Sequence, residues 1–206
     1  MGNPCRTTTR PRAAKTLGVA GLGDVGQALA ARAQGFGMRV IALCRRAPLP
    51  HPGDGARGGG SPGEDAVPTV FGPDHLAEFL AQADFVVNLL PLTSATRALF
   101  GAPEFGRMKP SAYFLNLGRG ETVDQDALIA ALRAGAIAGA GLDVTAPEPL
   151  PPESPLWEMP NVILTAHYAG WSDAMLDRIF AIFIDNLVRF DAGQPLHNVV
   201  DLRAGY

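Results

Sequence analysis

Short apolar runs, set apart by helical stretches and turns, give this chain its rhythm. Thr16–Ala20, Arg39–Leu43 and the segments 85–90, 113–117 and 162–165 are mostly apolar and of strand length. Unbroken runs of that kind mark strands covered on both faces. Val70-Phe71 reads as a further, shorter strand. Helical stretches fall between these runs, at 27–34, 73–81, 124–134 and 173–190, with Asp124 placed to cap the third. Thr93 is a natural cap for a short helix after it. Strands alternating with helices predict an α/β fold, a doubly wound parallel sheet of the Rossmann type.

The segment 48–68 breaks the pattern. It is dense in proline and glycine and includes Gly58-Gly59-Gly60, so a mobile surface loop is expected there. No internal repeat is visible. With 206 residues the chain has room for one domain with a real core. The reading divides it into a tail at 1–14, a dinucleotide-binding domain at 15–191 and a C-terminal tail at 192–206. The first of these is basic, with Arg6, Arg10 and Arg12, and reads as a disordered or leader-like tail.

Composition narrows the function classes. The net charge is −3, which argues against a nucleic-acid surface, since that needs a concentrated basic patch. No apolar run is long enough to span a bilayer. Two cysteines, Cys5 and Cys44, make no disulfide scaffold, so a reducing, cytoplasmic setting is expected. No metal site is expected.

The first run ends in Gly21-Leu22-Gly23-Asp24-Val25-Gly26. The first glycine of such a loop allows a tight turn, the second lets backbone approach a pyrophosphate, and the third packs helix on strand. The helix then offers free N–H groups and a positive dipole end to the phosphates. The second run ends in Leu43-Cys44-Arg45-Arg46, where an NAD-binding chain usually has an acid for the ribose hydroxyl. Arg45 and Arg46 suit a 2′-phosphate instead, which favours NADP(H) over NAD(H).

Two further residues follow apolar runs and carry chemistry. Arg119, between Gly118 and Gly120, has the planar fork that holds a carboxylate in a fixed orientation. His167 brings an imidazole, the side-chain type suited to exchanging a proton near neutral pH. Glu148 is suited to fix its ring and favour the charged form. Such a set can hold a 2-keto acid, polarise its carbonyl and protonate its oxygen.

Five stretches together are more specific. They are Gly21–Gly26, the segment 90–96 (Leu90-Pro91-Leu92-Thr93-Ser94-Ala95-Thr96), Asn116-Leu117-Gly118-Arg119-Gly120, Gly141-Leu142-Asp143-Val144 with Glu148-Pro149 after it, and His167-Tyr168-Ala169-Gly170. In this order the chain resembles the D-isomer-specific 2-hydroxyacid dehydrogenase family. The resemblance implies that Arg119 binds substrate and that Glu148 and His167 form the proton-donor pair. Asp143 would contact the nicotinamide end. Leu90, Pro91, Thr96, Leu117, Gly118 and Gly170 would lie beside the cofactor. It implies a small 2-keto or 2-hydroxy acid as substrate, such as glyoxylate or hydroxypyruvate, and a homodimer. Glu148 in place of a glutamine puts the chain nearer the hydroxyacid reductases than the formate dehydrogenases. Family members normally carry a substrate domain before the Gly-rich loop. Only some fifteen residues precede that loop's strand in this sequence, so 192–206 is expected to belong to a largely absent substrate domain. A cofactor-binding module without turnover, redox-sensing or corepressor-like, is the alternative. Trp157 and Trp171 read as packing residues, with Trp171 the better placed to line a pocket. His51, His75 and His197 have no partner pattern.

Overall fold

A computed structural model of the chain describes residues 15–45 and 69–203. The expected loop at 48–68, the tail at 1–14 and Arg46 lie outside the described residues. Seven strands form one sheet: β1 (Thr16–Ala20), β2 (Arg39–Leu43), β3 (Thr69–Phe71), β4 (Phe85–Asn88), β5 (Tyr113–Asn116), β6 (Gly139–Leu142) and β7 (Val162–Leu164). Their order is β3-β2-β1-β4-β5-β6-β7, and every pairing is parallel. The chain winds outward from β1 to β3, then returns to β1's other side to start β4. The resulting crevice between β1 and β4 is where ligands bind in open α/β sheets.

The strands are apolar throughout because both faces are covered. Side chains alternate between faces with a period of two. Thus Leu17, Val19, Val40, Ala42 and Val87 pack with Ala30 and Ala33 of α1 (Asp24–Gly35). Their neighbours Ala20, Ile41, Leu43, Val86 and Phe114 join the larger core on the other face. Phe79 and Leu80 of α2 (Leu76–Gln82), Phe105 of α3 (Ala102–Phe105), and Leu128 and Leu132 of α4 (Gln125–Arg133) complete that core. Phe100, Phe105 and Phe114 meet there with ring centroids 5.1 and 5.3 Å apart.

Several elements depart from the expectation. β4 stops at Asn88, because the Asn88 side-chain oxygen accepts from the Leu90 amide and turns the chain out of the sheet. The first helix starts at Asp24, earlier than expected, with Gly23 as its extended cap and Gly26 inside its first turn. The stretch at 73–81 opens as a 3₁₀ turn, Pro73–His75, before α2. No helix follows Thr93; Thr96 Oγ1 accepts from the Thr93 amide and donates to the Pro91 carbonyl, holding a turn. β6 has no signal in the apolar pattern, because Gly139-Ala140-Gly141-Leu142 lacks bulky β-formers. Asp124 does cap α4, accepting from the Ala127 amide at 3.0 Å. The last helix, α5 (Met175–Asp191), differs from the rest: none of its residues is buried.

Candidate active site

The carboxyl ends of β1, β4, β5 and β6 share one edge of the sheet, and the loops leaving them carry the predicted residues. After β1 the chain turns at Gly21, whose φ of +102° suits glycine alone. A Cβ on Gly26 would collide with the Gly21 carbonyl oxygen, so α1 can lie this close to the turn only without one. Gly23 is different: a Cβ there would meet none of the described residues within 4 Å. Bare backbone at that point leaves room for a phosphate to approach. Leu22 is buried beneath the loop and anchors it, while Val25 is 66% exposed on its outer side. These residues, with the positive end of a twelve-residue helix, fit a dinucleotide. Arg45 is exposed at the end of β2.

Beyond β4, Thr96 Oγ1 lies 2.6 Å from the Pro91 carbonyl, so its hydroxyl is spent on holding the Leu90-Pro91 turn. Beyond β5, Leu117 is partly exposed and Gly118 is buried. Arg119 is exposed, and its Nη1 donates to the Gly118 carbonyl at 2.7 Å. Gly120 is pressed against the Thr145 carbonyl, where any Cβ would collide.

Past β6 lies the best-defined constellation. His167 Nδ1 and Glu148 Oε1 are 2.7 Å apart, with side chains 48% and 43% exposed. His167 has a φ of +54°, an uncommon backbone state for a residue with a Cβ. Asp143 holds the turn in that state. One of its oxygens accepts from Thr165 Oγ1 (2.6 Å) and the Tyr168 amide (3.1 Å), and the other from the Ala169 amide (3.1 Å). Burial raises the Asp143 carboxyl pKa, but the bonds from Thr165 and from the Ala169 and Tyr168 amides, with the nearby His167, outweigh it. Its pKa ends below the ordinary carboxylate value. Asp143, Thr145, Glu148, Leu150, Trp157, Leu164, Thr165 and His167 line a small cleft of about 80 Å³. A larger recess, about 430 Å³, lies elsewhere, between Arg133 and Met159, and contains none of these groups.

The tryptophan at the cleft is therefore Trp157, whose Nε1 donates to the Pro151 carbonyl, while Trp171 stands 73% exposed. Residues 120 and 145 bring the Arg119 loop against the His167 cleft. Gly170 is exposed at the end of the Asp143-held turn. Sequence reasoning missed Asn88, Thr122 and Thr165. Asn88 was visible as a lone polar residue inside the apolar run 85–90. Among the described residues no cluster of His, Cys, Asp and Glu has metal-binding geometry.

Residues 3–169 match the model of the D-isomer specific 2-hydroxyacid dehydrogenase NAD binding domain. The chain belongs to that family. Among the family's curated proteins, glyoxylate/hydroxypyruvate reductase B of Salmonella newport is 42% identical over 191 residues, 92% of this chain and 55% of that protein. Among solved structures, a D-isomer specific 2-hydroxyacid dehydrogenase from Xanthobacter autotrophicus, in complex with NADPH and MES, superposes with a TM-score of 0.80 at 39% identity. It covers 93% of this chain and 73% of that one. An NADPH-dependent glyoxylate/hydroxypyruvate reductase from Sinorhizobium meliloti, in complex with NADP and sulfate, gives 0.80 at 34% identity, covering 93% and 57%. The chain thus spans little more than half the length of the curated relatives it matches. The α/β fold with its parallel doubly wound sheet is that of the family's NAD-binding domain.

Proposed function

We propose that this chain is the cofactor-binding and proton-donating part of a reductase of small 2-keto acids, glyoxylate or hydroxypyruvate, that uses NADP(H) in preference to NAD(H). The observation that carries the reading is the 2.7 Å contact between Glu148 and His167 in a cleft touched by the Arg119 loop. The loop Gly21–Gly26 and the N-terminus of α1 would hold the pyrophosphate. Arg45 and Arg46 would take the 2′-phosphate. Leu90, Pro91, Thr96, Leu117, Gly118, Asp143 and Gly170 would border the nicotinamide side. A bound nicotinamide would supply the hydride. Arg119 would leave the Gly118 carbonyl and take the substrate carboxylate with its fork. Glu148 would hold the ring through Nδ1, leaving Nε2 to deliver the proton to the substrate oxygen. Asp143 acts on this site through the His167 turn, since both its oxygens are engaged there.

The test is nicotinamide oxidation with NADPH and with NADH, against glyoxylate, hydroxypyruvate and pyruvate. Turnover is expected with NADPH, reduced roughly 10²- to 10⁴-fold in His167→Ala. Unchanged turnover in that variant would refute the proton-donor role. A second reading, a cofactor-binding module without turnover, is favoured by the exposure of both His167 and Glu148, since a wet site forfeits electrostatic advantage. Tight NADPH binding with no reduction of any of the three acids would support it.

The chain is further proposed to pair with a second copy. Support comes from α5, whose Phe180, Phe183, Leu187 and Val188 are all at least half exposed. Contiguous apolar surface of that kind marks an interface. Light scattering giving the mass of a monomer would remove this part. No helix among the described residues is long and apolar enough to cross a membrane.

A further inference from the structure

Beneath the Arg119 loop lies a polar cluster in the middle of the core. Asn88, Asn116 and Thr122 are 0%, 1% and 0% exposed. Asn88 and Asn116 end adjacent strands and are direct partners in the β4–β5 register. Asn88 Nδ2 donates to Asn116 Oδ1 at 2.9 Å and to Thr122 Oγ1 at 2.7 Å. No buried side-chain polar atom among the described residues lacks a partner, so the cluster is closed. Closed buried networks of this sort rigidify whatever they hold.

What they hold is Arg119. Its carbonyl oxygen accepts from Asn116 Nδ2 (3.2 Å), from Thr122 Oγ1 (2.6 Å) and from the Thr122 amide (3.2 Å). Asn116 Oδ1 also accepts from the Gly118 amide, one residue earlier. On the other side, Asn88 Oδ1 accepts from the Leu90 amide. The two loops also touch: a Cβ on Gly118 would sit 2.7 Å from the Leu90 carbonyl oxygen. An apolar trio would fill the same volume without desolvating two amides and a hydroxyl. The network ends on the backbone of two ligand-facing loops, and that is where its benefit lies.

We infer that Asn88, Asn116 and Thr122 are positioning residues that fix the Arg119 backbone, and with it the guanidinium, against the Leu90-Pro91 loop. The inference rests on the reading of Arg119 as the substrate-carboxylate ligand. Thr122→Val keeps the volume and removes the hydroxyl, breaking its bond to Arg119 and its acceptance from Asn88. Thr122→Ser keeps the hydroxyl.

The experiment uses the whole chain. Glyoxylate reduction and oxalate binding to the NADP⁺-loaded protein are measured for wild type, Thr122→Val, Thr122→Ser, Arg119→Ala and the Arg119→Ala/Thr122→Val double variant. Thr122→Val is expected to raise KM for glyoxylate and Kd for oxalate about tenfold, as a small misplacement of a binding group does. Its kcat and NADPH affinity should change less than twofold, roughly, because the cofactor loop stays in place. Thr122→Ser should restore the wild-type values. In the Arg119→Ala background Thr122→Val should add nothing, since the hydroxyl acts only through that side chain. A full additive loss there, or wild-type KM in Thr122→Val, overturns the inference. If Thr122→Val does not fold, Thr122→Ala against Thr122→Ser makes the same comparison. If the wild type binds NADPH but neither turns over nor binds oxalate, the substrate role of Arg119 fails instead. The positioning is then decided by the Arg119 Nε–H resonance, assigned by its loss in Arg119→Lys. A shifted, broadened signal in Thr122→Val alone supports it, and an unchanged signal overturns it.

Discussion

Two regions of this chain treat apolar and polar groups in opposite ways. Around β4, β5 and β6 even the polar groups are buried and fully paired: Asn88, Asn116, Thr122 and Asp143 each hold a loop. Along α5 the apolar groups are exposed, from Leu176 at 60% to Phe190 at 75%. The difference teaches where this molecule invests its rigidity. Burying a polar group is costly unless every bond is made, so the site edge is held in one arrangement. A helix rich in apolar residues on most sides belongs in an interior, and among the described residues nothing covers that surface of α5.

The comparison can be broken most severely at Gly120. Any side chain there must displace the Thr145 carbonyl, so Gly120→Ala should lose the cleft and most of the stability, read as a large fall in the melting temperature. Retention of a wild-type melt would mean that the Arg119 and Thr145 loops are not packed as described. Next come matched truncations. Phe114→Ala, in the core, should cost about 3–5 kcal/mol by chemical denaturation. Phe183→Ala, on α5, should cost under about 1 kcal/mol in a solution dilute enough that no second copy covers the helix. Equal costs would show that α5 is covered in solution, and dilution should then separate the two.

Acid sharpens the contrast further. Asp143 has a folded carboxyl pKa below its ordinary value of 3.8. Its clamp on the His167 turn therefore stabilises fully above that value and is lost as pH falls below it, through the folded pKa. Melting temperature should drop with acid over that window in the wild type, and the drop should flatten in Asp143→Asn. An identical acid profile in the variant would count against the clamp. The most local effect is the cap: Asp124→Ala removes the acceptor for the Ala127 amide and should cost about 1 kcal/mol in a denaturant titration. A neutral result would mean that water replaces it.

Much of this was legible before any fold. β1 and β2 run where the apolar pattern puts them, and the ends of β4, β5 and β7 differ by a residue or two, because period and burial are local properties. The Gly-rich loop, Arg119, Glu148 and His167 stood out by residue type and spacing. What was illegible depended on partners remote in sequence. β6 is built of small residues and exists because β5 and β7 flank it. Thr93 was expected to cap a helix, and only a turn follows it, tied back by the Thr96 hydroxyl to the Pro91 carbonyl. The hold of Asp143 on the Thr165-to-Ala169 turn was equally illegible, because its donors lie 22 to 26 positions away.

By itself, then, the sequence determined the fold class, the strand-to-helix alternation and the kinds of chemistry available at the strand ends. Those follow from side-chain period, backbone freedom and acid–base character, which each residue carries with it. Only the tertiary structure decided which groups meet. The 2.7 Å contact of Glu148 with His167 spans nineteen positions, and the bond from Asn88 to Thr122 spans thirty-four. Hydrogen bonds act over about 3 Å, and a spacing along the chain is not a distance until the sheet has set the strands side by side.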